Sequence, residues 1–220
     1  MTTGILTKLI DESLITRIEE RRDYIGASSI GHPCERKIWY EFNDYEREPY
    51  SQKQLRTFAI GKRLESMILD CLMNAGLDLI TTTFDLFDQS LFIFQGHLDA
   101  IWYKNGADKE PRAIIEVKTA RDSSFNIFVK KGLREWQSSY YAQIQAYMGM
   151  SGIHEGYVIA LNKDTSEIHD EQVFFDEYYY DDLKRKVMRV IEAKEPLPKI
   201  NNNSLYFVCR GCPFKGICHS

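Results

Sequence analysis

Apolar residues recur every three or four positions in some stretches of the chain and alternate with polar residues in others. The first pattern predicts helices, and the second predicts strands. The predicted helices span about residues 3–24, 51–75, 125–131, 136–150 and 176–193, with another beginning near Pro33. The predicted strands span about residues 77–87, 91–102, 113–118, 157–161 and 168–175, with a turn at residues 104–106. This order predicts an α/β fold with a mixed central sheet of about four or five strands, flanked by helices.

One predicted strand contains charged residues that a buried strand does not normally hold. Residues 113–118 are rich in β-branched side chains, as a pleated and mostly buried strand prefers, yet they include Glu116 and Lys118. Because side chains alternate along a strand, Glu116 and Lys118 are expected on the same face. If Asp99 on the neighbouring strand faces the same way, two carboxylates and an ammonium group converge at the surface of the sheet.

This trio suits phosphodiester cleavage. Mg²⁺ prefers oxygen ligands and keeps several waters, so Asp99 and Glu116 suffice to hold it, with the Val117 carbonyl as a third oxygen. Lys118 would orient or help to deprotonate the attacking water and offset the negative charge of the transition state. The alternative is a half-exposed hairpin whose Glu/Lys pair faces water, and this short pattern alone does not decide between them.

Three short motifs follow one another along the chain: Gly96-x-x-Asp99, Glu116-x-Lys118 and Gln143-x-x-x-Tyr147. Together they resemble the PD-(D/E)XK nuclease superfamily, in its RecB-like branch. The resemblance implies a restriction-endonuclease-like core in which Gln143 and Tyr147 support the site and contact the DNA backbone. Leu98 stands where the family name places proline, a common departure that leaves the chemistry intact.

The helix predicted at residues 51–75 contains Gly61 in its interior, which lowers helix propensity and suggests close packing there. Glu65 lies one turn later on the same face. The RecB-like pattern usually places a metal-binding histidine after Gly-x-x-x. Here the position holds Glu65, as in the branch that resembles the phage lambda exonuclease, so the resemblance implies that Glu65 binds metal. The alternative is a surface ion pair between Glu65 and Lys62 or Arg63.

Composition bounds the possible partners and compartment. The net charge of −4 argues mildly against a nucleic-acid partner, but residues 183–220 contain eight Lys/Arg and two Glu, a local balance of +6. No apolar run is long enough to span a bilayer, and the first residues lack the apolar core of a signal peptide, so we expect a cytoplasmic protein. An odd number of cysteines, five, then favours metal binding over disulfides.

Three of those cysteines, Cys209, Cys212 and Cys218, lie in a short segment that contains Gly and Pro. With Cys34 far upstream, their spacing resembles the iron–sulfur nucleases, namely the CRISPR-associated RecB-like exonucleases and AddB-type nucleases. The resemblance implies that these four thiolates hold a [4Fe–4S] cluster that joins the two ends of the chain. A structural Zn²⁺ site is the alternative, and His219 or His32 would be a substitute for one thiolate. Cys71, within an apolar helical run, is interpreted as a core residue.

The chain is therefore expected to form one nuclease domain over residues 1–220. Its parts are a helical N-terminal part (about 1–76), a catalytic α/β core (about 77–195) and a cysteine segment (196–220) that joins Cys34. The expected function is a DNA exonuclease that uses Mg²⁺ or Mn²⁺, on single-stranded DNA or single-stranded ends. Protein partners in recombination, repair or CRISPR adaptation are also expected. The alternatives are a non-catalytic DNA-binding or assembly module and a nuclease that acts on RNA.

Overall fold

The computed structural model describes residues 4–15, 22–81, 85–104 and 109–220. Within these ranges ten helices and eight strands follow one another. In chain order they are α1 (Ile5–Ile15), β1 (Ile25–Gly26), α2 (Ala27–Ile30), α3 (Glu35–Phe42), α4 (Gln52–Asn74), β2 (Asp78–Ile80), β3 (Asp85–Phe87), β4 (Phe94–His97), β5 (Ala100–Tyr103), β6 (Pro111–Ala120), α5 (Asp122–Lys131), α6 (Leu133–Trp136), α7 (Ser138–Ser151), β7 (Glu155–Asn162), β8 (Ile168–Phe174), α8 (Glu177–Glu192), α9 (Phe207–Arg210) and α10 (Lys215–His219).

The strands form two mixed sheets that are flanked by helices, so the predicted α/β class is confirmed. The larger sheet has five strands in the order β2-β5-β6-β7-β8, in which only β6 and β7 are parallel among the described pairs. The smaller sheet has the order β1-β4-β3, with β1 parallel to β4. The larger sheet is the mixed central sheet of five strands that the sequence predicted, and the smaller sheet is an addition to it.

The strand predicted at residues 91–102 is divided between the two sheets. β4 ends at His97 in the smaller sheet, and β5 begins at Ala100 in the larger one. Asp99 lies at the crossing, where its carboxylate accepts a hydrogen bond of 2.8 Å from the Val117 backbone N–H. The Val117 N–H thus donates to a side chain and not to a backbone carbonyl of the neighbouring strand. The regular pairing of β5 with β6 ends at this point.

Helices cover both faces of the larger sheet. Ile115 and Val117 of β6 pack in a cluster with Ile68 and Leu69 of α4, whereas Ile114 faces the main core together with α7. A parallel pair that is covered on both faces is buried along most of its length, which explains the apolar character of β6 and β7. Glu116 of β6 is therefore taken out of water, and Lys118 largely so.

The apolar spacing of the N-terminal helix is typical of an amphipathic helix that packs on the core, but α1 does not pack in this way. Leu6, Leu9 and Ile10 of α1 are 53–71% exposed. The helix instead lies beside α4, to which Asp11 is joined by a 2.6 Å ion pair with Arg56. Residues 16–21 of the predicted first helix and residues 105 and 106 of the predicted turn lie outside the described residues.

Side chains cap the starts of two helices, α4 and α8. Ser51 and Gln54 form a reciprocal capping box at the start of α4, and Asp176 caps α8 by accepting from the Tyr179 N–H. α3 begins at Glu35, two residues later than predicted, with Cys34 as its N-cap residue. In the described part of the chain, no helix is long and apolar enough to cross a bilayer.

Replacing Gly149 of α7 by alanine should destabilise the fold. A Cβ there would lie 2.4 Å from the ring of Tyr180, whose hydroxyl donates to the buried Asp88 carboxylate at 2.6 Å. The ring cannot withdraw without breaking that bond, so we expect the free energy of unfolding to fall by about 1–3 kcal/mol in urea denaturation.

The matched control is Gly61→Ala in α4. A Cβ on Gly61 would make only an ordinary contact of 3.7 Å with Thr119 Oγ1, so close packing does not explain this glycine, contrary to the expectation from sequence. Alanine is the better helix former and should raise stability by up to about 1 kcal/mol. If both substitutions raise the free energy of unfolding, or both lower it, the inferred difference in packing between Gly149 and Gly61 is wrong.

Candidate active site

The centre of the site is an ion pair inside β6. Glu116 and Lys118 lie two residues apart on the same face of the strand and are in direct contact, and the Glu116 side chain is 2% exposed. Burial raises the pKa of Glu116, because a carboxylate loses its hydration there, although Lys118 acts in the opposite direction. Burial by itself would lower the pKa of Lys118, but the carboxylates of Glu116 and Asp99 outweigh it and raise this pKa. Lys118 is therefore held as an ammonium ion.

A chain of hydrogen bonds fixes the position of that ammonium. Lys118 Nζ donates to Gln143 Oε1 at 3.0 Å and lies 4.7 Å from the centre of the Tyr140 ring. Gln143 Nε2 contacts the Tyr147 hydroxyl at 2.7 Å, and that hydroxyl donates to the His97 carbonyl at 2.5 Å. The network thus connects β6 through α7 to the end of β4.

Asp99 approaches the pair from the crossing between the sheets. Continuing the register of β5 and β6 by one step beyond Ala100–Ile115 places Asp99 opposite Glu116. Burial raises the pKa of Asp99 to about 8, and the negative charges of Glu116 and Glu65 act in the same direction. The Lys118 ammonium and the hydrogen bond from Val117 oppose this rise without cancelling it. The two carboxylates and the ammonium therefore form one electrostatic unit, as the sequence pattern predicted.

Glu65 is the third carboxylate of this unit. It lies on α4 and raises the pKa of both Asp99 and Glu116 through its negative charge. Its Oε1 also forms a 2.5 Å ion pair with Lys62, whose side chain is 65% exposed against 17% for Glu65. Glu65 thus forms the ion pair with Lys62 that was the alternative from sequence, and its charge also acts on the two other carboxylates. Its binding of a metal stays a prediction.

The oxygen atoms of these three residues suit a hard cation. In the part of the chain that the structure describes, no three His, Cys, Asp or Glu side chains stand as a ready metal-ligand set. Each carboxylate instead contacts an N–H or an ammonium of the protein. The buried Oε2 of Glu116, however, has no hydrogen-bond partner among the described residues, so one ligand atom is left for a cation.

The four predicted cysteine ligands line a cavity of their own, although among the described residues they do not stand as a ready metal-ligand set. Cys34, Cys209, Cys212 and Cys218 are free thiols that line one small cavity. Burial raises the pKa of the Cys209 thiol, and the neighbouring Cys34 and Cys218 act in the same direction. Residues that are far apart in sequence thus share one thiol-lined cavity. Cys71 is exposed on α4, so its interpretation as a core residue was wrong.

Polar groups around the thiols distinguish the two candidate histidines. His32 Nδ1 lies 3.1 Å from the Cys34 backbone N–H, which donates to it, and burial lowers the pKa of His32 to about 4. His219 also lines the cavity, and its buried Nε2 has no hydrogen-bond partner within the described ranges. Arg36 donates to the Leu197 carbonyl at 2.5 Å and lies 3.8 Å from Cys218 Sγ. These contacts fasten α3 to the cysteine segment.

Sequence reasoning missed two contributors to the active site. Tyr140 was not among the predicted site residues, yet the Lys118 ammonium lies over its ring. Helical spacing places it three residues before Gln143 on the same face, so the signal was present. Lys62 was considered only as a partner of Glu65, yet the charges of Asp99 and Glu116 also act on it.

Comparison of folds relates the chain to known exonucleases. An alkaline exonuclease (LHK-Exo) from Laribacter hongkongensis is similar in structure over 82% of this chain and 91% of its own chain, at 13% identity and a TM-score of 0.59. LHK-Exo in complex with dAMP gives 13% identity and a TM-score of 0.60, over 78% of this chain and 88% of that one. The protein SSO0001 matches over 99% and 98% of the two chains at 18% identity and a TM-score of 0.61. No family model and no curated protein matches the sequence, so these likenesses show the fold alone.

The pKa of Asp99 predicts how the stability of the metal-free protein depends on pH. An aspartate that titrates near 4 when unfolded and near 8 when folded binds its proton more tightly in the folded state. Its stabilising effect is complete below about pH 4 and is lost as the pH rises toward about 8. With a chelator present, we expect the melting temperature to fall between about pH 5 and 8, by about 2–4 °C for each 1 kcal/mol lost.

Asp99→Asn should flatten this dependence, because the amide retains an oxygen acceptor for the Val117 N–H and does not titrate. Asp70→Asn, a change of an exposed carboxylate on the same helix as Glu65, is the control and should keep the wild-type slope. A slope that Asp99→Asn leaves unchanged would show that another group governs it.

Proposed function

We propose that the protein is a DNA nuclease of the exonuclease type that depends on Mg²⁺ or Mn²⁺. The observation that carries the proposal is the buried Glu116–Lys118 pair, whose charges interact with those of Asp99 and Glu65. One carboxylate oxygen of Glu116 has no hydrogen-bond partner in the part of the chain that the structure describes. The likeness in fold to exonucleases, one of them in complex with dAMP, supports the same reaction class. Glu65, Asp99 and Glu116 would hold the metal, and the Val117 carbonyl is a further candidate ligand.

The protein contributes charge and position to the reaction. A bound divalent cation supplies Lewis-acid stabilisation of a phosphate and lowers the pKa of a bound water. Lys118 supplies a fixed positive charge beside the carboxylates, because their charge keeps it protonated. In this state it donates hydrogen bonds, so it can orient a water or contact a phosphate oxygen but cannot accept a proton. Of the two roles expected from sequence, we therefore favour orientation over deprotonation.

Gln143 and Tyr147 hold Lys118 in place. The amide oxygen of Gln143 accepts from the ammonium, while its amide nitrogen contacts the Tyr147 hydroxyl. Tyr147 is 2% exposed and uses its proton on the His97 carbonyl, so its contribution is positional. The contact of both residues with the DNA backbone stays a prediction from the resemblance.

The four cysteines are proposed to bind a structural metal group. Their thiols line one cavity, and a thiolate set suits either a [4Fe–4S] cluster or Zn²⁺. His219 Nε2 lies in the same cavity and has no hydrogen-bond partner among the residues that the structure describes. This nitrogen could bind the metal group in place of one thiolate. Such a group would hold α3 and the cysteine segment together, adding to the contacts that Arg36 makes with Pro196 and Leu197.

Glu116→Gln and Lys118→Ala should each lower the rate of DNA cleavage by at least about 10²–10³-fold. The first removes a carboxylate that would hold the metal, and the second removes the fixed positive charge beside the reacting phosphate. The measurement is cleavage of end-labelled single- and double-stranded DNA, with an RNA of the same sequence in parallel and Mg²⁺ or Mn²⁺ present. Shortening from one labelled end would identify exonuclease action and its polarity.

Lys109→Ala serves as the control for Lys118→Ala, since Lys109 is an exposed lysine paired with Asp78. It should retain full activity. A wild-type protein that is folded and metal-loaded but leaves all three substrates intact would contradict the nuclease proposal. A protein that cleaves only RNA would contradict the DNA assignment.

Cys209→Ser should lower both the content of the bound metal group and the melting temperature, because binding energy at such a site is also folding energy. Metal analysis of anaerobically purified protein distinguishes the two groups, since a cluster contains iron and acid-labile sulfide whereas the alternative contains zinc. Cys71→Ser, at an exposed position away from the cavity, should change neither quantity. A wild-type protein without iron and zinc would contradict the proposal.

A further inference from the structure

A large open cleft lies on the side of the N-terminal helices. It has a volume of about 1080 Å³ and runs between α1, the segment around β1, α3 and the first half of α4. This volume is at the upper limit of typical small-molecule sites, about 300–1,000 Å³. The sequence motifs do not account for it. An extended ligand fits such a cleft better than a compact one.

Two aromatic rings and a cation lie next to one another along one wall of the cleft. The rings of Tyr50 and Phe58 meet edge to face at 4.9 Å, and Phe58 is 51% exposed. The guanidinium of Arg47 lies 4.0 Å from the centre of the Tyr50 ring. Rings that face a cleft and are flanked by a cation form the type of surface on which nucleic-acid bases stack, because every base presents a π-face.

The charge of the lining favours an anionic ligand. Four basic side chains line the cleft, Arg22, Lys37, Arg47 and Lys62, against two acidic ones, Glu41 and Asp44. Lys37 and Glu41 neutralise one another in a 2.6 Å ion pair. Lys62 is likewise paired, with Glu65 beside the cleft. The lining residues together still carry two more positive than negative charges, which attracts phosphates although the protein as a whole carries a net charge of −4.

Lys62 connects the cleft to the candidate active site. It lines the cleft, pairs with Glu65, and is acted on by the charges of Asp99 and Glu116. Phe58 lies one helical turn before it on the same face of α4. A strand that lies along this wall would therefore reach the three carboxylates at its inner end.

We propose that this cleft binds single-stranded DNA, with bases stacked on Tyr50 and Phe58 and phosphates near Arg47 and Lys62, and leads it to the carboxylates of the active site. The inference rests on the proposed nuclease function and names the strand form and the path of its substrate. Bases in a duplex are already stacked on each other, so these rings are useful only to an unpaired strand.

The test measures binding and chemistry separately. Binding of a short fluorescein-labelled oligothymidylate is followed by anisotropy in the Glu116→Gln background, where cleavage is blocked. Tyr50→Leu and Phe58→Leu should each weaken binding roughly 5- to 150-fold, the range expected for the loss of one stacked base. Arg47→Gln should reduce the slope of log K against log salt concentration by about 0.7, the value for one phosphate of a single strand.

In parallel, the same substitutions are made in the active enzyme and tested on the p-nitrophenyl ester of thymidine 5′-monophosphate. This phosphodiester offers one base and no strand, so Tyr50→Leu and Phe58→Leu should lower its kcat/KM much less than they lower the affinity for the oligothymidylate. If even the wild type leaves the ester and DNA intact, the nuclease proposal fails while the binding assay still tests the cleft.

Phe92→Leu is the matched control, because Phe92 is 66% exposed and stacks on Phe87 away from the cleft. It should bind the oligonucleotide like the parent protein. The proposal is overturned if both cleft variants bind normally, if the control loses as much affinity as they do, or if a blunt duplex binds as tightly as the single strand.

Discussion

The ion pair between Glu116 and Lys118 is the interaction on which the arrangement of the site depends. Both side chains project from a strand that is buried on its two faces, and removing one partner would leave a charge without compensation, at a penalty of about 3–5 kcal/mol. Hydrogen bonds connect Lys118 to Gln143, Gln143 to Tyr147, and Tyr147 to the His97 carbonyl. The position of the ammonium therefore also depends on α7 and on the end of β4. The positions of three elements therefore follow from one pair of charges.

Stability alone does not explain such a pair. Well-packed apolar residues of similar volume are often as stabilising as a buried ion pair or more so. Here one oxygen of Glu116 has no partner among the described residues, and the pKa of Asp99 is raised to about 8. Both features are unfavourable in the protein by itself and would be relieved by a cation. These two unfavourable features agree with the proposal that a divalent cation binds at this site.

Much of the fold and of the site could be predicted from periodicity. A period of two placed Glu116 and Lys118 on one face, and helical spacing located α4, α7 and α8. Alternation does not encode which strand accepts each hydrogen bond, so the division of the segment around Asp99 between two sheets could not be predicted. The interpretation of Cys71 as a core residue was wrong for a related reason. An apolar run in a helix does not show which face of the helix packs against another element.

Helix α4 links the two proposed activities of the molecule, strand binding and hydrolysis. Phe58, Lys62 and Glu65 follow one another at spacings of four and three residues, so they form one stripe along the helix. With a rise of 1.5 Å per residue, the ring and the carboxylate are separated by about 10 Å along the axis. A strand with a B-like rise of about 3.4 Å per nucleotide needs roughly three nucleotides to span that separation. A shorter oligonucleotide cannot occupy both ends of the stripe, so stacking on Phe58 can assist hydrolysis only of substrates that are longer than this.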